Sequence, residues 1–107
     1  MIKVIVKKPG KSPYEAFIKN ELKEYQAIVG GYIEVVPYNN FLLVCNEEGK
    51  LLSLTPNFFF GNDLICGTVF FVAEDGENFA SLDDKQIKYL MDKFVSRPAR
   101  KKGSKER

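Results

Sequence analysis

The side chains able to do chemistry in this sequence are few, and their types exclude several classes of reaction. The chain contains no histidine, which removes imidazole as general base, as metal ligand and as a member of a nucleophilic triad. The adjacent carboxylates Glu47 and Glu48 have the composition of an acid–base pair, but neighbouring residues of a turn point apart into water and cannot converge on one substrate atom. Cys45 and Cys66 each lie in an apolar segment, with no CxxC spacing. Two thiols without imidazole fall short of the four ligands a structural zinc requires, so no metal is expected. Both read as reduced, buried thiols on two different strands. The phosphate-loop pattern GxxxxGK[ST] is absent, and the pair Gly30-Gly31 follows a helix instead of opening one. The expectation is a protein that is not an enzyme, with no catalytic residues and no cofactor.

Binding chemistry has more candidates. Side chains alternate along a strand, so Tyr32 and Glu34 share one face. They offer a polar ligand surface or, equally, a cross-strand partner for Lys50. Asn57 can hold its own loop through the backbone or give a ligand both a donor and an acceptor. Phe58, Phe59 and Phe60 are consecutive and cannot all face one core. One or two enter it, and the remaining ring is an exposed aromatic of the kind that marks an interface. The candidate binding set is therefore Tyr32, Glu34, Asn57, Phe58, Phe59 and Phe60. The 56–60 loop is expected to fold back and set Asn57 and one Phe beside Glu34. Gly30, Gly31, Gly49, Pro56 and Gly67 read as structural punctuation around this set, Gly67 as a bulge or a close backbone approach.

These residues need a scaffold, and hydrophobic patterning supplies one. Residues 2–7 are β-branched and read as a strand, and the prolines and glycine of 8–13 as a turn. Residues 14–19 alternate as a second strand. Asn20 is a suitable N-cap for a short helix whose stripe is Leu22, Tyr25, Gln26 and Val29, ended by a left-handed glycine at Gly30-Gly31. Strands at 32–37, 41–46 and 50–54 follow as a meander with turns at 38–40 and 47–49. Thr55-Pro56-Asn57 breaks it, and 58–63 is irregular. Residues 64–73 form a strongly apolar strand. Ser81 with Asp84 resembles a capping box before a helix of roughly 14 residues carrying Leu82, Ile87, Leu90, Met91 and Phe94. The order β-β-α-β-β-β-β-α predicts an α+β fold: a mainly antiparallel sheet with two helices, in two layers.

Charge divides the chain. The net charge is +2, yet residues 97–107 hold six basic side chains against Glu106, a net +5, which leaves −3 on residues 1–96. The expected organisation is one globular domain over 1–96 and a basic, disordered tail over 97–107. An acidic body argues against nucleic acid except for weak contact through the tail. No apolar run approaches the roughly 20 residues that span a bilayer. The apolar stretch near Met1 is too short for a secretory leader, which points to the cytoplasm and away from membranes.

Taken together, Ile28-Val29-Gly30-Gly31-Tyr32-Ile33-Glu34, Cys45-Asn46-Glu47-Glu48-Gly49-Lys50-Leu51, Pro56-Asn57 and Ile65-Cys66-Gly67-Thr68 carry a resemblance. Over roughly residues 1–95 the sequence resembles a small bacterial family catalogued as domain of unknown function 3846, similar to proteins of Gram-positive bacteria, their phages and their plasmids. The resemblance implies a mobile-element accessory and brings no activity with it. The Phe58–Phe60 run departs from the more polar loop of that family. The combined expectation is a non-catalytic interaction protein that binds a host or element protein. A small-molecule, nucleotide-like ligand is the alternative, and a homodimer stays open.

Overall fold

The stretches Val4–Val6, Phe41–Cys45 and Val69–Val72 are apolar without interruption and β-branched or aromatic in large part. Strands of this kind have no side to show water and need cover on both faces. The computed structural model of the protein, which describes residues 1–94, places all three in the middle of one sheet. The chain runs through β1 (Ile2–Lys7), β2 (Tyr14–Ile18), α1 (Leu22–Val29), β3 (Ile33–Tyr38), β4 (Phe41–Asn46), β5 (Pro56–Phe60), β6 (Asp63–Cys66), β7 (Val69–Asp75), β8 (Asn78–Ala80) and α2 (Asp84–Lys93). The main sheet has the order β2-β1-β7-β4-β3, antiparallel throughout, with β8 added to β7. Strands β5 and β6 form a separate antiparallel hairpin. The α+β class, the two helices and the mainly antiparallel sheet are as the patterning predicts.

The layers differ from the expected two. Strand periodicity sends Val4, Val6, Leu42, Val44, Phe70 and Val72 to one face, where Tyr25 and Val29 of α1 cover them. Ile5, Leu43, Cys45, Val69 and Phe71 go to the other, under Ile87 and Leu90 of α2 and Ile65 of the hairpin. The helices lie on opposite faces, giving three layers. Consecutive Phe70 and Phe71, both fully buried, anchor one core each.

The predicted meander also fails at its third strand. Residues 50–54 wind into turns, with Leu52 N–H donating to Glu48 O (2.8 Å), Leu54 N–H to Gly49 O (2.9 Å) and Ser53 at a positive φ of 56°. Leu51 and Leu52 are exposed, so no alternation there earned a place in the sheet. The neighbour of β4 is β7 instead. The predicted strand over 64–73 is two strands, because Gly67 turns the chain at φ 87°, a left-handed conformation that strains other residues, and a Cβ there would also push on Leu54 Cδ1 at 2.7 Å. The irregular stretch of phenylalanines is β5.

Helix ends show smaller shifts. Gly30 takes the left-handed conformation (φ 81°) that closes α1, as expected. The N-cap is Glu21, without a side-chain bond; Asn20 instead accepts the Tyr25 hydroxyl proton and donates to Phe79 O at 3.1 Å. In α2 the capping box is Asp83 with Gln86 (2.8 and 2.9 Å), while Ser81 Oγ accepts from Lys3 N–H. The last turn of α2 ends at Phe94, so the helix has 10 residues. The expected domain limit at residue 96 and the basic tail lie outside the described residues. No helix among the described residues is long and apolar enough to cross a membrane.

Candidate binding cleft

The turn after β4 is built by one buried amide. Asn46 Nδ2 donates to Val29 O at 3.1 Å, and Asn46 Oδ1 accepts from Glu48 N–H at 2.7 Å. The side chain thus satisfies the end of α1 and shapes residues 46–49 at once. It explains the second glycine: a Cβ on Gly31 would stand 2.9 Å from Asn46 Nδ2. Gly49 is required on the other side, where a Cβ would meet Cys66 O at 2.8 Å. The turn therefore lies directly against the end of β6.

Between this turn, β3 and β6 runs an open cleft of about 290 Å³. Glu34, Glu47, Glu48, Lys50 and Asp63 supply its charge, and Leu51, Leu64 and Ile65 its apolar wall, with Cys45 and Cys66 beneath. Lys50 and Asp63 form an exposed ion pair across the mouth. The hydrogen bond that Lys50 donates to the Asp63 carboxylate raises the Lys50 pKa, so the ammonium is charged at neutral pH. Burial, then the nearby charges of Glu34 and Asp63, push the Cys45 thiol up to about 11. It stays protonated at neutral pH and is a poor nucleophile. Both cysteines are free and buried, on β4 and β6, as expected.

The structure separates the sequence-predicted set. Glu34 lines the cleft, paired in register with Cys45. Tyr32 precedes β3 and is 68% exposed, its carbonyl accepting from Glu47 N–H at 2.9 Å. Lys50 partners Asp63 and forms no cross-strand pair with Tyr32 or Glu34. Asn57 sits at a register shift of the hairpin and points to its root. There Nδ2 donates to Lys7 O (2.9 Å) and Gly67 O (2.8 Å), and Oδ1 accepts from Lys7 Nζ (3.0 Å). Lys7 is itself buried, which lowers its pKa. Asn57 is therefore a clamp inside the fold, and the loop placing it beside Glu34 does not form.

The three phenylalanines divide by strand alternation. Phe58 packs on Phe94 (ring centroids 4.9 Å apart) and Phe60 stacks on Tyr38 (4.7 Å), both against the α2-side core. Phe59 points outward and is 70% exposed, as the expectation of one exposed ring required. Its register partner is Leu64 of the cleft wall. Leu51, Asp63 and Leu64 are site residues that sequence reasoning missed, and Lys50 is in the site with Asp63 as its partner instead of the expected cross-strand pair. Lys50 and Asp63 are 13 positions apart, and only the fold of the hairpin against the turn makes them neighbours.

A family model described as Domain of unknown function (DUF3846) matches residues 2–95. No curated protein and no solved structure matches the chain.

Proposed function

The chain belongs to this family of unknown function, and on that premise we propose that it is a small non-enzymatic interaction module. In this reading it is an accessory factor of a phage, plasmid or integrated bacterial element, working in the cytoplasm by binding a host or element protein. The observation that carries the reading is Phe59. Its neighbours Phe58 and Phe60 are half-buried and packed against the core, so the exposed ring between them is held on an anchored strand. A pre-set aromatic loses little entropy on docking and serves as an anchor. Leu64 and Leu51 (78% exposed) extend the apolar surface, and Glu34 with the Lys50–Asp63 pair supplies a polar rim. Burying one such ring is worth about 1.5–3 kcal/mol to a partner. The association of this family with mobile elements rests on the motif resemblance alone.

The test is affinity capture from a bacterial host with the full chain, identification of the partner, and titration of that purified partner against Phe59→Ala and Glu34→Ala. Weaker binding by a folded Phe59→Ala variant supports the surface. Full binding by both variants places the interface elsewhere. A second reading, a nucleotide-like small molecule, draws on the apolar wall of the cleft, although Glu34, Glu47, Glu48 and Asp63 against Lys50 make its mouth acidic and favour a base or nucleoside without phosphate. Mass spectrometry of the natively purified protein, with absorbance in the nucleobase band, separates the two readings.

A further inference from the structure

The main sheet ends in two edges that are built differently. The outer strand β3 contains Pro37, which has no N–H to offer a further strand and so blunts that edge. The other outer strand, β2, has no proline between Tyr14 and Ile18, and no described strand lies beyond it. An open edge of this kind is a template for pairing. Its side chains on the face away from α1 are Glu15 and Phe17, with Lys19 one step past the strand on the same alternation. Phe17 is 62% exposed. Lys3 of β1 holds its ammonium 5.6 Å from the Phe17 ring centre and 3.9 Å from the Glu15 carboxylate.

We propose that β2 is a self-association edge, where two copies of the chain pair antiparallel about a two-fold axis through Phe17. This register sets each Phe17 opposite its counterpart and each Glu15 opposite Lys19 of the second copy. The strand is thus complementary to itself in both shape and charge. Neighbouring registers lack this property. Centring on Ala16 sets Glu15 against Phe17, and centring on Glu15 opposes two carboxylates. Because β3 is blocked, association stops at two copies, with one continuous sheet running across the pair. The interface is separate from the Phe59 surface, and neither proposal depends on the other.

Sedimentation equilibrium of the full chain across a wide concentration range tests this. The wild type should dimerise, more weakly as salt rises. Glu15→Lys and Lys19→Glu each place like charges opposite one another twice in the dimer and should weaken it about tenfold or more. The double reversal Glu15→Lys/Lys19→Glu should restore it. The Lys3–Glu15 contact is absent from that double variant as well, so restoration cannot come from it. Val35→Lys, on the opposite edge, should leave the dimer unchanged. A wild type that stays monomeric throughout overturns the proposal. So does a folded double variant as weak as the singles, or dissociation by Val35→Lys but not by Glu15→Lys.

Discussion

The two faces of the sheet are covered by different means. On one, a single helix closes a core with Tyr25 and Val29 above Phe70, and the surface above is ordinary. On the other, α2 covers only part of the sheet, and the β5–β6 hairpin completes the work by setting Phe58, Phe60 and Ile65 over Phe71 and Tyr38. A helix hides its apolar stripe and turns a polar back to solvent. A two-stranded hairpin alternates strictly, so feeding Phe58 and Phe60 inward forces Phe59 outward. The cleft and the exposed ring thus follow from covering a face with strands instead of a helix.

The most damaging way to break this comparison is to empty either core. Phe70→Ala and Phe71→Ala should each cost about 3–5 kcal/mol in denaturant unfolding. If the faces are equally well packed, the two losses should be alike. A markedly smaller loss for Phe71→Ala would show that the hairpin-covered face relaxes around the cavity. Next in size is the hairpin's root. Asn57→Ala removes the acceptor from the Lys7 ammonium and the donor from two carbonyls, and should cost about 2–3 kcal/mol. Asn57→Asp keeps the acceptor and should recover only part of that loss.

A pH titration sharpens the contrast at Cys45. Its folded pKa of about 11 lies above the ordinary thiol value of 9.0. The unfolded chain therefore releases this proton first as pH rises. The contribution is complete below pH 9 and is lost as pH climbs toward 11, a fall on the order of 2 kcal/mol. Tyr38, raised to about 12 by burial and then by Tyr89, adds a loss of the same sign at higher pH. Lys7 works in the opposite sense, because its lowered pKa makes folding less costly as the unfolded lysine also loses its proton. Cys45→Ala should flatten the decline between pH 9 and 11 in urea melts, whatever it does to stability at neutral pH. The smallest effect belongs to Phe59→Ala, which should shift stability by less than about 0.5 kcal/mol. Phe58→Ala, one residue away, should destabilise clearly, and equal losses for the two would erase the alternation argument.

Much of this was legible in the residues. The strand over 2–7, the helix closed at Gly30, the turn at Asn39-Asn40 and the split fate of the three phenylalanines all follow from local patterning. The uninterrupted runs at 41–45 and 69–72 also carried the message that both faces are covered, although the two-layer expectation did not use it. What local patterning could not show was the pairing order. Residues 50–54 have strand-like composition, but β7 outcompetes them for β4 because Val69–Val72 buries on both faces while Leu51 and Leu52 do not. The error spread to the site. A meander would have carried the 56–60 segment back over Glu34, and without it Asn57 is drawn to Lys7, 50 residues away in the chain. Asp63, the partner that Lys50 takes instead, had no signature before the hairpin was in place.

The position of β7 has a consequence for how the molecule assembles. Strands β1 with β2 and β3 with β4 are two local hairpins that can form early and independently. Neither is joined to the other until β7, which follows both in the chain, slides between β1 and β4 as the central strand. Its pairing with β1 closes a loop of more than 60 residues, Lys7 to Val69. Such non-local closure belongs with folding in milliseconds to seconds instead of microseconds. During synthesis the two hairpins emerge from the ribosome with their inner edges unpaired, and β7 is the wedge that joins them into one sheet.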